Sequence, residues 1–379
     1  MNNVKNLLLV GVLLSLTACA SDYELKGKRP DVNPGDVTDC SFTPVSGTQV
    51  SAYDCNPVFT NTGENWGGDV GSIGFHVTEV LGHPFYQMWY TSSSSDSFGG
   101  ISMGYAVSSN GTDWTPHPSN PLMSTDPSGW DKDSIAGQVV VWDPIDSQYV
   151  MAYQGFTLGT NEFDPGVWGL GIATSPDGKN WTKSARNPVI NFTTDFDILF
   201  GGALIQPCWP LTITITERGA LKGYIAAAKA EEAFLGMEAA CHIYEMNGLD
   251  AETWIINDQR PVMEANGSYD TMGVASAAVV DFEGVLYMFY VGFTDWVQYT
   301  GYQSAQNLTL NLATSTDGGG TWTKDPNNPI PLNLTNPGEI SDVGAQVVGS
   351  RILLWVTDNY EGENSVGYFY YEPNIESHQ

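Results

Sequence analysis

The sequence predicts an all-β protein, a five-bladed β-propeller of four-stranded antiparallel blades whose ring is closed by an N-terminal strand. Three observations predict it. One segment recurs along the chain, its prolines at 121, 188, 261 and 329, in steps of 67, 73 and 68 residues. Each period holds about four short runs with strand alternation and many aromatic residues. No segment carries a long helical stripe.

The first 19 residues, MNNVKNLLLVGVLLSLTAC, belong to export and not to the fold. Lys5 precedes an apolar run from Leu7 to Leu16 that is too short to span a bilayer permanently. Leu16-Thr17-Ala18-Cys19 resembles the lipobox of bacterial lipoproteins, which implies cleavage before Cys19 and lipidation of its thiol. The expected organisation is a signal peptide over 1–18, a tether over 19–40 rich in Asp, Pro, Gly and Lys, and the propeller over 41–373. The expected location is the cell envelope, lipid-anchored and exported. With Cys19 lipidated, Cys40, Cys55, Cys208 and Cys241 remain for an oxidising compartment. Chain order suggests Cys40–Cys55 and Cys208–Cys241, although four cysteines allow three pairings.

The repeat itself reads Gly104-Tyr105-Ala106-Val107-Ser108-Ser109-Asn110-Gly111-Thr112-Asp113-Trp114, then Asn120-Pro121-Leu122. It returns as Gly171 to Trp181 with Asn187-Pro188-Val189, and as Asn311 to Gly318 with Trp322 and Asn328-Pro329-Ile330. A weaker copy runs through Ile243–Asn247, Trp254 and Arg260-Pro261-Val262. The Asn/Asp-Gly step predicts a hairpin turn, because glycine tolerates positive φ. The tryptophan after it is expected to pack between blades. Phe85–Tyr90, Gln148–Tyr153 and Leu286–Tyr290 alternate as half-buried strands do. Blades one to four then cover Val58–Met123, Asp126–Ile190, onward to Met263, and onward to Pro331. Gly338–Glu372 supplies three strands, so a segment near Phe42–Tyr53 is expected to complete the fifth blade and remove an exposed edge.

Composition excludes several partners. A net charge of −29 from 14 Lys+Arg against 43 Asp+Glu repels nucleic acid and anionic lipid. Lysine and arginine are too few for a phosphate-handling site. No cofactor is expected; the acidity would accommodate a structural calcium in the axial channel, but no loop motif specifies one. A monomer is expected, with the lipid anchor its only membrane contact.

An aromatic-Asp start, an apolar innermost strand, a Tyr-x-Met-x-Tyr strand and then A-T-S-x-D-G-x-x-W-T-K…N-P resemble the five-bladed propeller glycoside hydrolases. Family 43 is nearest, with families 32 and 68 as relatives, and the resemblance extends from about residue 58 to the C-terminal strands. It implies three acids at the axial mouth, on innermost strands of the first three blades: a general base, a general acid and a modulator of the acid. The sequence departs from that pattern. Ala136-Gly137-Gln138 stands where an acidic motif is expected in blade two, the equivalent run in blade four is Ala275-Ser276-Ala277, and no Asp-Pro or Glu-Gly-Pro begins an innermost strand.

The remaining acids lie a few residues earlier: Asp69, Asp131, Asp133, Asp195, Asp197, Asp270, Glu339 and Asp342, with Glu231, Glu232 and Glu238 in the blade-three hairpin. Asp69 is the preferred base and Asp133 the preferred modulator, because neither has a structural twin. Glu231 or Glu232 is the candidate acid. Asp131 and Asp270 repeat from blade to blade, which fits turn capping better than catalysis. Trp66, Trp130, Trp168, Trp209 and Trp296 lie outside the repeated position and are candidate sugar platforms, Trp168 and Trp296 in the loops 159–169 and 294–306. His76 falls on the innermost strand of blade one and is expected to face the channel. Two functions follow: a glycosidase acting on poly- or oligosaccharides through paired carboxylates, or a non-catalytic surface glycan-binding or scaffold propeller.

Overall fold

A computed structural model describes residues 40–60, 70–92, 100–157, 166–191, 205–215, 221–229, 240–250, 252–257, 260–299, 302–332, 334, 340–360 and 363–373. Among them there is no helix. Blade one is built from Ile73–Val80, His83–Ser92, Ser102–Ser108 and Thr115–Pro116, in that order outward from the axis. Blade two runs Ser134–Asp143, Gln148–Thr157, Val167–Ser175 and Thr182–Lys183. Blade three follows as Ile205–Ile215, Leu221–Lys229, His242–Asp250 and Thr253–Asn257. Blade four comprises Gly273–Phe282, Val285–Phe293, Thr309–Ser315 and Thr323–Lys324. The first strands of successive blades touch in sequence, and that of blade five touches that of blade one, which closes the ring.

Blade five takes three strands from the C-terminal end, Asp342–Val348, Arg351–Tyr360 and Glu363–Tyr371. Its fourth strand is Val50–Tyr53, paired with Phe369–Tyr371, and Phe42–Pro44 adds outside it. The expected closure by an N-terminal strand is therefore observed. Phe42 inserts its ring among Tyr53, Tyr368 and Tyr370, and a Cys40–Cys55 disulfide closes the hairpin. Cys241 is disulfide-bonded as well.

Apolar packing divides into five clusters, one at each seam between blades. This arrangement corrects one expectation. The second strands are buried on both faces, not one: Tyr86, Met88 and Tyr90 on one side, Gln87 and Trp89 on the other. A blade is covered by a neighbour on each face, so its central strands have no solvent side.

The repeated motif supplies the joints. Gly111 and Gly178 adopt φ of 78° and 73°, and each carbonyl accepts from the indole of its own blade, Trp114 at 3.1 Å and Trp181 at 3.0 Å. The same carbonyls accept from the preceding blade, Trp355 at 3.3 Å and Trp89 at 2.7 Å. A Cβ at Gly178 would lie 2.8 Å from the Trp89 ring, so both conformation and space demand glycine. Each Asn-Pro asparagine grips the third strand. Asn120 bonds the N–H and C=O of Tyr105, Asn187 those of Ile172, and Asn328 those of Leu312. Asn56 does the same for Tyr368 in blade five.

Candidate functional site

Innermost strands present backbone edges and short side chains to the axis, because longer side chains alternate into the two seams. Among the described residues, those of blades one, two, four and five line the axial cavity of 290 Å³. Its polar lining at the end where these strands begin, the mouth face, is Gln138, Ser276 and Asp342.

Asp342 begins the innermost strand of blade five and joins three blades. Its carboxylate accepts from the Ile73 N–H of blade one at 2.8 Å, the Ser276 hydroxyl of blade four, and the Val343 N–H at 2.8 Å. It is half-buried, deep in the molecule with one edge on the cavity. Burial pushes its pKa up to about 6, although its three hydrogen bonds pull the other way. Among the described residues no cation accompanies these three partners.

Gln138 completes the other side. Its amide donates to Ser72 O at 2.8 Å and Trp89 O at 3.0 Å, while Gly137 N–H donates to Ser72 Oγ at 3.0 Å. One peptide unit, Ser72–Ile73, is thus held at its oxygen by Gln138 and at its N–H by Asp342. Irregularities in pairing between Ala136 and Val139, and between Val274 and Ser276, mark bulges that re-aim Gln138 and Ser276. Gly137, at φ 57°, makes the first bulge possible.

Asp133 stands at the approach to blade two, half-buried, its N–H donating to Phe156 O at 3.2 Å and its carbonyl accepting from Gly100 at 2.7 Å. Asp131 and Asp270 are structural twins. Asp131 binds Lys183 at 2.7 Å and the Tyr153 hydroxyl at 3.2 Å; Asp270 binds Lys324 at 2.6 Å and the Tyr290 hydroxyl at 3.0 Å.

Four aromatic expectations need correction. His76 does not face the channel: Phe75 stacks on Trp355 of blade five, so alternation turns His76 into the blade-two seam, edge-on to Tyr149 at 5.4 Å. Burial there lowers its pKa to about 4. Trp130 is no open platform; its ring packs 5.8 Å from Tyr153 and occupies the space where Gly155 and Gly171 lack a Cβ. Trp168 lies on a strand rather than in a loop, packs against the seam of blades two and three, and donates to Gln154 at 3.2 Å. Trp296 also lies on a strand, in a hairpin of Asp295–Tyr299 with Tyr302–Gln306, opposite Ala305. Trp66, Asp69, Asp195, Asp197, Glu231, Glu232, Glu238, Glu339 and Cys19 lie outside the described residues, as do the side chains of Trp209, Trp296 and Cys208. Among the described residues, no three His, Cys, Asp or Glu side chains converge as ligands for a metal ion.

Sequence reasoning placed Asp342 among the acids but did not single it out, and read Gln138 only as a missing acid and Ser276 only as part of the equivalent run in blade four. The available signal was a small residue followed by a hydrogen-bonding one at the start of an innermost strand.

No protein-family model and no curated protein matches the chain. Solved structures do. One, from work on a mannoside phosphorylase family (glycoside hydrolase family 130) that contains glycoside hydrolases targeting β-1,2 mannosidic linkages in Candida mannan, is 16% identical, covers 91% of this chain and 97% of its own, and has a TM-score of 0.60. A glycosyl hydrolase from Bacteroides ovatus is 16% identical over 92% of this chain and 96% of its own, with a TM-score of 0.58. A thermostable family-43 glycoside hydrolase is 15% identical over 82% and 91%, with a TM-score of 0.55. At these identities the likeness shows the fold.

Proposed function

We propose that the protein is a glycoside hydrolase that cleaves poly- or oligosaccharides at the mouth of the axial channel, outside the cytoplasm, while tethered through Cys19. The observation that carries this reading is Asp342, a carboxyl group open to an axial cavity and raised by burial to about 6. Such a group holds a proton close to neutral pH, as protonation of a leaving sugar oxygen requires. Among the described residues no cation offsets this largely desolvated carboxyl group, which favours a chemical use. Asp69, just before Val70 on the approach to blade one, is the proposed base, and Asp133 the modulator. Glu231 and Glu232 are the other candidates for the acid. The propeller glycoside hydrolases that share this fold support carbohydrate as the substrate class.

A second reading is supported by Gln138, a neutral side chain on the innermost strand of blade two, where the resemblance implies an acid. In that reading the channel mouth binds glycan without cleaving it. The two separate on a panel of aryl glycosides and polysaccharides, β-1,2-linked mannosides included, with residues 20–379 and the Asp69→Asn variant. Sugar release by the wild type, lost on substitution, establishes hydrolysis and the base. Release that survives keeps the hydrolase and discards Asp69. Glycan binding without release over the whole panel selects the second reading.

A further inference from the structure

The large apolar side chains that stand exposed among the described residues are distributed unevenly. Leu81 and Ile145 occupy the turns between first and second strands of blades one and two, while Val347 lies one residue from the end of the first strand of blade five and Leu249 one residue from the end of the third strand of blade three. Innermost strands all begin at the mouth, so these four positions lie toward the opposite, far face. Ile255, the remaining exposed one, pairs with Asn247 two residues before Leu249.

Leu81 is the informative member. It is 84% exposed and sits at φ 53°, followed by Gly82 at φ 81°. Two successive positive φ values favour Asn-Gly or Gly-Gly, and a leucine there is disfavoured by its backbone as well as by its exposure. Blade four has the same turn with Glu283-Gly284 at φ 53° and 83°, so the geometry does not require an apolar residue. Neither the turn's backbone nor packing within the ring calls for a leucine at position 81.

The lipid anchor proposed at Cys19 would bring a lipid surface within reach of these positions. Twenty residues separate Cys19 from Cys40, enough to reach roughly 70 Å when extended. A ten-residue strand spans about 33 Å, so a lipid on Cys19 can lie in the plane of the far face. Glu79, Asp143, Asp146, Asp250 and Glu283 flank the exposed tips, which disfavours an anionic bilayer.

We propose that the far face rests on a neutral lipid surface, with Leu81, Ile145, Val347 and Leu249 entering the headgroup layer and the channel mouth directed away from the membrane. The proposal rests on lipidation at Cys19 and stands or falls separately from glycan hydrolysis. The test is cosedimentation of residues 20–379, which contain the whole ring but no lipid, with phosphatidylcholine–phosphatidylethanolamine vesicles. The comparison is Leu81→Asn/Ile145→Ser, two exposed turn substitutions, with melting curves to establish that the ring is intact. The wild type should partition weakly, and the variant at least about ten-fold less; added phosphatidylglycerol should reduce wild-type binding. Equal partition of both proteins, or none by the wild type, overturns the proposal. A wild-type dimer that the substitutions dissociate also overturns it, and assigns the face to a second copy of the chain.

Discussion

Two titratable groups at the channel's side of the ring respond to pH in opposite senses. Asp342 holds its proton to about pH 6, above the range of an unfolded aspartate near 4. Its contribution to stability is therefore complete below about pH 4 and is lost as pH rises through 6, a swing on the order of 2–3 kcal/mol. His76, lowered to about 4, contributes stability above the unfolded histidine value and loses it as pH falls through 4. The two trends offset each other in the wild type, so a difference measurement is needed. Asp342→Asn, compared with wild type by denaturant titration, should be about 2 kcal/mol more favourable at pH 7.5 than at pH 4.5. An equal difference at the two pH values would show that burial does not raise Asp342. Asp342 was legible in the sequence as an acid before a strand. Its partners were not, because Ile73 and Ser276 are 269 and 66 residues away and meet it only through ring closure.

The elements were more legible than the residues that join them. The Asn/Asp-Gly turn, the following tryptophan and the Asn-Pro step each perform one job in each blade that carries them, so their recurrence exposed the period. The twin roles of Asp131 and Asp270 followed from the same repetition. Asn56-Pro57, 64 residues before Pro121, is another copy of the Asn-Pro step, but its strand lies at the opposite end of the chain, and no local pattern announces that. Removing its side chain leaves the Tyr368 N–H and C=O without these partners. Asn56→Ala should therefore cost about 1–3 kcal/mol and loosen the N-terminal hairpin, read as faster amide exchange over Val50–Tyr53. No change in exchange would place the hold of that hairpin in the disulfide and the Phe42 cluster alone. The burial of second strands on both faces was missed because alternation of aromatic with polar residues reads as one-sided when the neighbouring blade is unknown. The hairpin bearing Trp296 was read as a loop because its polar residues mask a strand period.

For the whole molecule, the ring organises function by its two faces. Innermost strands begin together at the mouth, where Asp342, Ser276 and Gln138 meet around one peptide unit. They end together at the far face, where Leu81 and its neighbours project. Blade number and closure were readable from the period and the count of strands. The chemistry was readable only in part, since the acid implied by family resemblance on the innermost strand of blade two is replaced by Gln138. The central claim is that a buried carboxyl group at the channel mouth supplies acid catalysis to glycan cleavage. The most direct test is sugar release by Asp342→Asn on a substrate that the wild type cleaves, with folding verified by circular dichroism. The account predicts a folded variant whose kcat falls by about 10²-fold or more. A folded variant with wild-type kcat would contradict it, and would leave Asp342 as a structural tie between blades one, four and five.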